Sequence, residues 1–535
     1  MLPYCYNHRK GGVFMRFLTW ILALSLLLGG CFWMDPTFGL QETVPYSEMR
    51  YTRPDPAALE EALSEACAAA VTAKSTGALM NRVYDFYDVY DSVLTNWYLA
   101  DLKYCGDLTD SYWESEYNYC SELIPQLDAA LEQLYTALAL SPLRPQLEKS
   151  FFGEGFFAAY EGDPVLDETY LALIEEEARL ESEYYALSDE VAAADPEADH
   201  AEPMAALLAQ LVAVRQEMAA YLGYESYADF AYYEIYYRSY TPEMAQAYLL
   251  SLKNVLLEDY IRLSGSEVWE AAAEYCDAQG TFGYLKEAAT NMGGTVKHAF
   301  DLLEEATLYD IAYGENKYDS SFCVYLWSYE EPFIFVSPWL DQTDKLTFAH
   351  EFGHFVNDYV CGGSYAGTDV AEVHSQAFEY LSLCYTENSE ALARYKLADS
   401  LSTFVECAAY ALFEHRLYAL PPEELTAENI LALYEQTCRE FGFNSWDWDP
   451  GDFMTVVHFF TEPMYMVSYT VSNDVAMQFY QLERQTPGTG LALYEKILQS
   501  QDTDIIAFAE TYGLENPFAI GRATALKKTF DEILP

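Results

Sequence analysis

The chain has 535 residues, of which 51% are hydrophobic and 21% charged, so it carries ample material for a core and more length than one typical domain. Its 28 Lys plus Arg stand against 85 Asp plus Glu, a formal net charge of −57. A surface this acidic repels phosphate backbones, which excludes a nucleic-acid partner and predicts a strongly solvated exterior.

In chain order, residues 1–31 predict an export signal. Arg9, Lys10 and Arg16 precede an apolar run from Phe17 to Leu28 that ends at Gly29-Gly30-Cys31. That is the layout of a secretory signal, and the run is too short to span a bilayer comfortably. Met15-Arg16 offers an alternative, more compact start. Leu28-Gly29-Gly30-Cys31 resembles the bacterial lipobox, which implies lipidation of Cys31 and an exported chain held at the cell envelope by that anchor alone. Without lipidation the chain is expected to be secreted. Residues 32–53 read as a tether, polar and Pro-bearing from about Asp35 to Arg53. Of eleven cysteines, Cys5 and Cys31 fall in the presequence and the rest are scattered without a C-x-x-C pair. This argues against a disulfide scaffold and against a thiolate zinc site. Cys105 and Cys120 read as buried free thiols, with a bridge between them as the alternative.

The body predicts helix nearly throughout. Residues 54–204 form an N-terminal helical region: apolar residues recur at helical spacing from Pro56 to about Leu140 and again from Val165 to Leu187. The stretch Ala192 to Pro203 breaks the pattern and marks the boundary to a second unit, 205–535. Strand signal is local. Phe322 to Trp327 and Phe333 to Val336 flank a turn at Glu330-Glu331-Pro332 and predict a hairpin.

Directly after that hairpin comes His350-Glu351-Phe352-Gly353-His354. On a helix the two histidines, four apart, project from one face and can grip one zinc ion, while Glu351 beside them can deprotonate an attacking water. Phe348, Phe352 and Phe355 predict that this helix is buried, and two buried imidazoles with a carboxylate between them need a reason. A third ligand is expected to be a carboxylate. Downstream of the Cys361-to-Gly367 loop, Glu372, Ser375, Gln376 and Glu379 share one helical face. One of the two acids can bind the metal while the other orients a ligand histidine. His374 falls off that stripe and reads as packing or surface.

The motif H-E-F-G-H followed by A-E-V-H-S-Q-A-F-E resembles the thimet oligopeptidase and oligoendopeptidase F family of zinc peptidases, in its oligoendopeptidase F-like branch. The resemblance extends over about residues 205 to 530. It includes Leu222-Gly223-Tyr224-Glu225-Ser226-Tyr227, the hairpin before the zinc helix, and His458 to Tyr469, which is similar to the pattern H-F-x-x-x-P-x-Y-x-x-x-Y. The N-terminal helices match in character only. The resemblance implies a mainly helical two-lobed body around a deep channel, one zinc ion held by His350, His354 and Glu372, and Glu379 bracing a ligand. It implies Glu351 as general base, with His458, Tyr465 and Tyr469 contacting substrate and stabilising the oxyanion, a task suited to phenol and imidazole donors. The expected substrates are short peptides cut internally, since no cluster of basic residues is found to hold a substrate C-terminus. The strand Pro332 to Val336 is expected to pair with an extended substrate. Two alternatives stand beside this reading: an inactive lipid-anchored peptide-binding protein, and a carboxypeptidase of related helical fold. One departure is noted. Ser320-Ser321 stand where relatives carry a glycine pair, so the loop is expected to sit differently and to alter substrate selection.

Overall fold

The computed structural model describes residues 43–160, 168–193, 200–270, 272–363, 367–500 and 502–534. The export signal, the lipobox Cys31 and the first half of the tether lie outside the described residues, as do 194–199 at the expected boundary and 364–366 in the loop after the motif helix. Among the described residues, no helix is long and apolar enough to cross a membrane.

Four helices open the body: α1 (Pro56–Thr72), α2 (Thr76–Gly106), α3 (Ser111–Ser121) and α4 (Ile124–Ala139). Their starts follow from local chemistry. The side chains of Asp55, Ser75 and Asp110 accept the exposed backbone N–H groups of the first turns, and Pro56 contributes its fixed φ where no N–H is needed. Phe86, Trp97, Leu127, Leu134 and Leu138 fill a core of their own. α2 is shared between two cores. Its later residues Leu99, Leu102 and Cys105 enter the larger one, so the N-terminal bundle is joined to the rest by packing as well as by chain.

The larger core takes in α5 (Glu168–Ala193), α6 (Ala201–Tyr221) and α7 (Pro242–Leu263). Leu180 and Tyr184 of α5 belong to it, so this helix packs with the body that follows rather than with the bundle before it. The helices α8 (Ala278–Met292) and α9 (Gly294–Ala306) then lead into the sheet.

The sheet has three strands in the order β1-β3-β2: β1 (Tyr309–Asp310), β2 (Phe322–Leu326) and β3 (Glu331–Phe335). β2 and β3 form the expected antiparallel hairpin with Val324 opposite Phe333. The two-residue β1, parallel to β3 with Tyr309 opposite Ile334, is too short to leave a sequence signal. It changes one expectation. β3 lies in the middle with partners on both sides, so Pro332 to Val336 cannot take a substrate strand along its length, and the outer strands are β1 and β2. Ser320 and Ser321 need no glycine geometry: neither is among the residues at positive φ, and Ser321 Oγ accepts from the Ser337 N–H at 3.1 Å.

The longer helices of the remainder, among the described residues, are α10 (Asp344–Cys361), α11 (Thr368–Ser382), α12 (Glu390–Leu417), α13 (Ala427–Glu440), α14 (Met466–Gln485), α15 (Thr489–Ile497), α16 (Ile505–Tyr512) and α17 (Arg522–Ile533). α11 packs against both α10 and α14, which brings the motif helix, the downstream acids and the Tyr465–Tyr469 segment into one region. The mainly helical architecture with a small sheet beside the motif helix agrees with the sequence reading. Cys105 and Cys120 are both buried free thiols.

Candidate metal centre and its surroundings

The motif lies on α10, which ends at Gly362 in the left-handed conformation that glycine adopts without strain. Its inner face is fully buried through Phe348, Ala349, Phe352, Phe355 and Val356. Burial on that face fixes the rotation of the helix and turns His350 and His354 to the same side, with their rings 5.0 Å apart. Glu372 arrives from α11, its Oε2 3.6 Å from His350 Nε2.

The approach of the two helices depends on Gly353. A Cβ there would lie 2.6 Å from the Ser375 Cα and 2.8 Å from the His374 carbonyl, closer than real Cβ contacts allow. The missing side chain therefore sets how near Glu372 can come to the imidazoles.

One donor atom each from His350, His354 and Glu372 lies within 4.8 Å of the others. Two imidazoles and a carboxylate suit a zinc-type divalent cation with one position left open. The hydrogen bonding fits the same group. His350 Nδ1 pairs with Glu379 Oε1 at 2.9 Å, which leaves Nε2 for an ion. The other oxygen of Glu379 accepts from Lys396 Nζ at 2.6 Å. Burial alone would raise the Glu379 carboxyl, but Lys396 and His350 outweigh it and hold this acid below its usual range. Burial would likewise lower His350, yet Glu379 and Glu372 raise it to about 9. Burial, reinforced by His350, pushes the His354 imidazole well below its usual range. A cation held by these donors would need His350 Nε2 free of its proton.

Glu351 is 5% exposed. Burial, with Glu372 and Glu379 adding to it, pushes its carboxyl up to about 7, in the range where a carboxylate can both take and return a proton near neutrality. His374 is fully buried, its Nε2 donating to the Ile497 carbonyl at 3.2 Å, the packing role of the two that the sequence suggested.

The structure also brings His458, Tyr465 and Tyr469 together. The His458 ring lies 5.1 Å from Tyr465 and 5.8 Å from Tyr469, and Tyr469 Oη is 3.4 Å from His458 Nε2. Tyr465 stands close enough to Glu372 for each to shift the other's ionisation, Glu372 adding to the burial that raises the Tyr465 hydroxyl, which places the tyrosine pair next to the candidate ligand. Lys396, Asp369 and Arg238 escaped the sequence reading. Only Asp369 left a signal there, one helical turn before Glu372 on the same helix.

Comparison with known proteins bears on this arrangement. Residues 46–163 match the family profile described as the Peptidase M3 N-terminal domain. The solved structure of PZ peptidase A with an inhibitor superposes with a TM-score of 0.76 at 20% identity, covering 91% of this chain and 98% of that one. A candidate oligoendopeptidase F gives 0.75 at 19% identity, with coverage of 91% and 98%. Another, from Bacillus anthracis str. Ames, gives 0.73 at 18% identity, with coverage of 92% and 98%. The chain has the fold of the oligoendopeptidase F structures. The resemblance to M3 and oligoendopeptidase F-like peptidases read from the motifs therefore holds, and it extends over the N-terminal helices, where the sequence carried it in character only. The match spans nearly the whole length of each of these relatives. No curated protein matches the chain.

Proposed function

We propose that this protein is a zinc-dependent endopeptidase that hydrolyses internal bonds of short peptides. The observation that carries the reading is the convergence of His350, His354 and Glu372 from two helices, with Glu351 buried beside them. A divalent ion at these three donors would supply Lewis acidity and a nucleophile that ionises near neutral pH. The protein's own groups do the rest. Glu379, anchored by Lys396, holds the His350 ring in one orientation. Glu351 takes the proton of the attacking water and returns it to the leaving amine. Tyr469, with His458 beside it, offers donors to the oxyanion of the tetrahedral intermediate, and Tyr465 alternates between Glu372 and that oxyanion. β2 is an outer strand of the sheet next to α10, and an extended peptide backbone would pair with it by strand addition.

The same proposal places residues 1–31 as a lipoprotein signal, Cys31 as the lipidated residue and an envelope location, all supported by the sequence alone. It also keeps the sequence-based division into an N-terminal helical region, 54–204, and a catalytic unit, 205–535, although α5 of the first packs into the larger core of the second through Leu180 and Tyr184. Glu351 and all three metal donors are present, which favours an active enzyme over a peptide-binding scaffold. Incubation of the protein with a peptide of about ten residues, followed by mass analysis, is expected to yield internal fragments that vanish when a chelator is added. Release of single C-terminal residues would replace the endopeptidase by a carboxypeptidase.

A further inference from the structure

Between the short helix Val457–Thr461, which carries His458, and α14, which carries Tyr469, the chain makes a turn through Pro463, Met464 and Tyr465. Met464 has φ 68°, a left-handed conformation that costs a non-glycine residue about 1–3 kcal/mol and survives only where the surroundings dictate it. Here they do, from both sides. The Met464 N–H donates to Glu414 Oε1 at 2.8 Å, and its carbonyl accepts from Arg238 Nη1 at 2.9 Å. The preceding carbonyl, that of Pro463, accepts from the Tyr236 hydroxyl at 2.9 Å.

Arg238 reaches further than this turn. It lies fully enclosed among aromatic rings, 4.2 Å from Tyr236 and 4.6 Å from Tyr232, an arrangement that suits a guanidinium. Its Nη2 donates to Ser468 Oγ at 2.7 Å, and Ser468 in turn donates to Asp369 Oδ1 at 2.5 Å. The other oxygen of Asp369 accepts from the Tyr240 hydroxyl at 2.8 Å and lies 3.6 Å from Arg238 Nε. Asp369 stands in the first turn of α11, one turn before Glu372.

We propose that Arg238 is a positioning residue: through Met464, Ser468 and Asp369 it fixes the Tyr465–Tyr469 segment to the helix that carries Glu372. The proposal rests on the hydrolase reading for its kinetic consequence, but its geometric content stands apart from it. The tyrosine hydroxyls are held near the metal donors before substrate arrives, so the network acts on the transition state and not on substrate affinity. Lysine at this site keeps the charge but loses the fork that spans two acceptors.

Two variants test it: Arg238→Lys, and Ser468→Ala, which removes a single buried hydroxyl if the first fails to fold. Each is measured for kcat, KM, zinc content and backbone hydrogen exchange. In both, kcat is expected to fall about tenfold or more, with KM within about twofold and one zinc retained. Exchange is expected to accelerate at residues 463–469 while the remainder of α14 keeps its protection. Unchanged kcat per folded molecule with only a lower Tm would make Arg238 a stability residue and overturn the proposal. If the unmodified protein cleaves no peptide, the hydrolase reading fails alone. The exchange experiment then still decides, and unchanged exchange at 463–469 in both variants refutes the positioning role.

Discussion

Replacing Glu351 by glutamine is expected to leave zinc bound and to lower kcat by about 10²- to 10⁴-fold, the range of a positioned general base. The change is nearly isosteric, and Glu351 makes none of the three donor contacts of the candidate metal centre, so metal content is the control that separates chemistry from site collapse. The physical reason is the burial that pushes this carboxyl up to about 7. An acid so placed holds a proton long enough to deliver it to a leaving amine, and an amide cannot. Turnover near that of the unmodified protein in Glu351→Gln would remove Glu351 from the mechanism.

Gly353→Ala is expected to damage both stability and metal binding. Two effects compete. Alanine in a helix interior gains about 1 kcal/mol over glycine. The added methyl, however, would meet the Ser375 Cα at 2.6 Å and the His374 carbonyl at 2.8 Å. Both are backbone atoms of α11, so relief requires a shift of the whole helix, and overpacking of this kind costs about 1–3 kcal/mol. The clash wins. Because Glu372 rides on α11, the same shift moves it off the imidazoles, and zinc affinity is expected to fall about 10- to 100-fold by analogy with disturbed support of a ligand. Calorimetric Tm and a zinc titration on the same samples check this. A rise in Tm with unchanged affinity would show that α10 and α11 have room to spare.

The motif histidines and Glu351 were legible in the sequence because a four-residue spacing on a helix leaves little freedom in where the side chains point, and phenylalanines at positions 348, 352 and 355 fix the buried side. The third donor was less so. Glu372 and Glu379 share a face, and helical periodicity alone does not say which acid reaches an ion. The resemblance supplied the assignment, and the geometry separates them: Glu372 stands at Nε2 of His350 and Glu379 at Nδ1. Lys396 and Arg238 were beyond reach because each acts on a different element, Lys396 on the preceding helix through Glu379 and Arg238 on distant segments through Met464 and Asp369, and an isolated basic residue carries no periodic signal. The central place of β3 was hidden for a related reason, since its second neighbour β1 is only two residues long.

The account depends most on the three donors acting as one site. Its most direct test is the zinc content of the full chain, measured by elemental analysis after exhaustive dialysis, alongside Glu372→Gln. One zinc per chain is predicted, together with a loss of about tenfold or more in affinity when the carboxylate is replaced. A chain that retains no zinc, or a Glu372→Gln variant that holds it as tightly as the parent, would contradict the account.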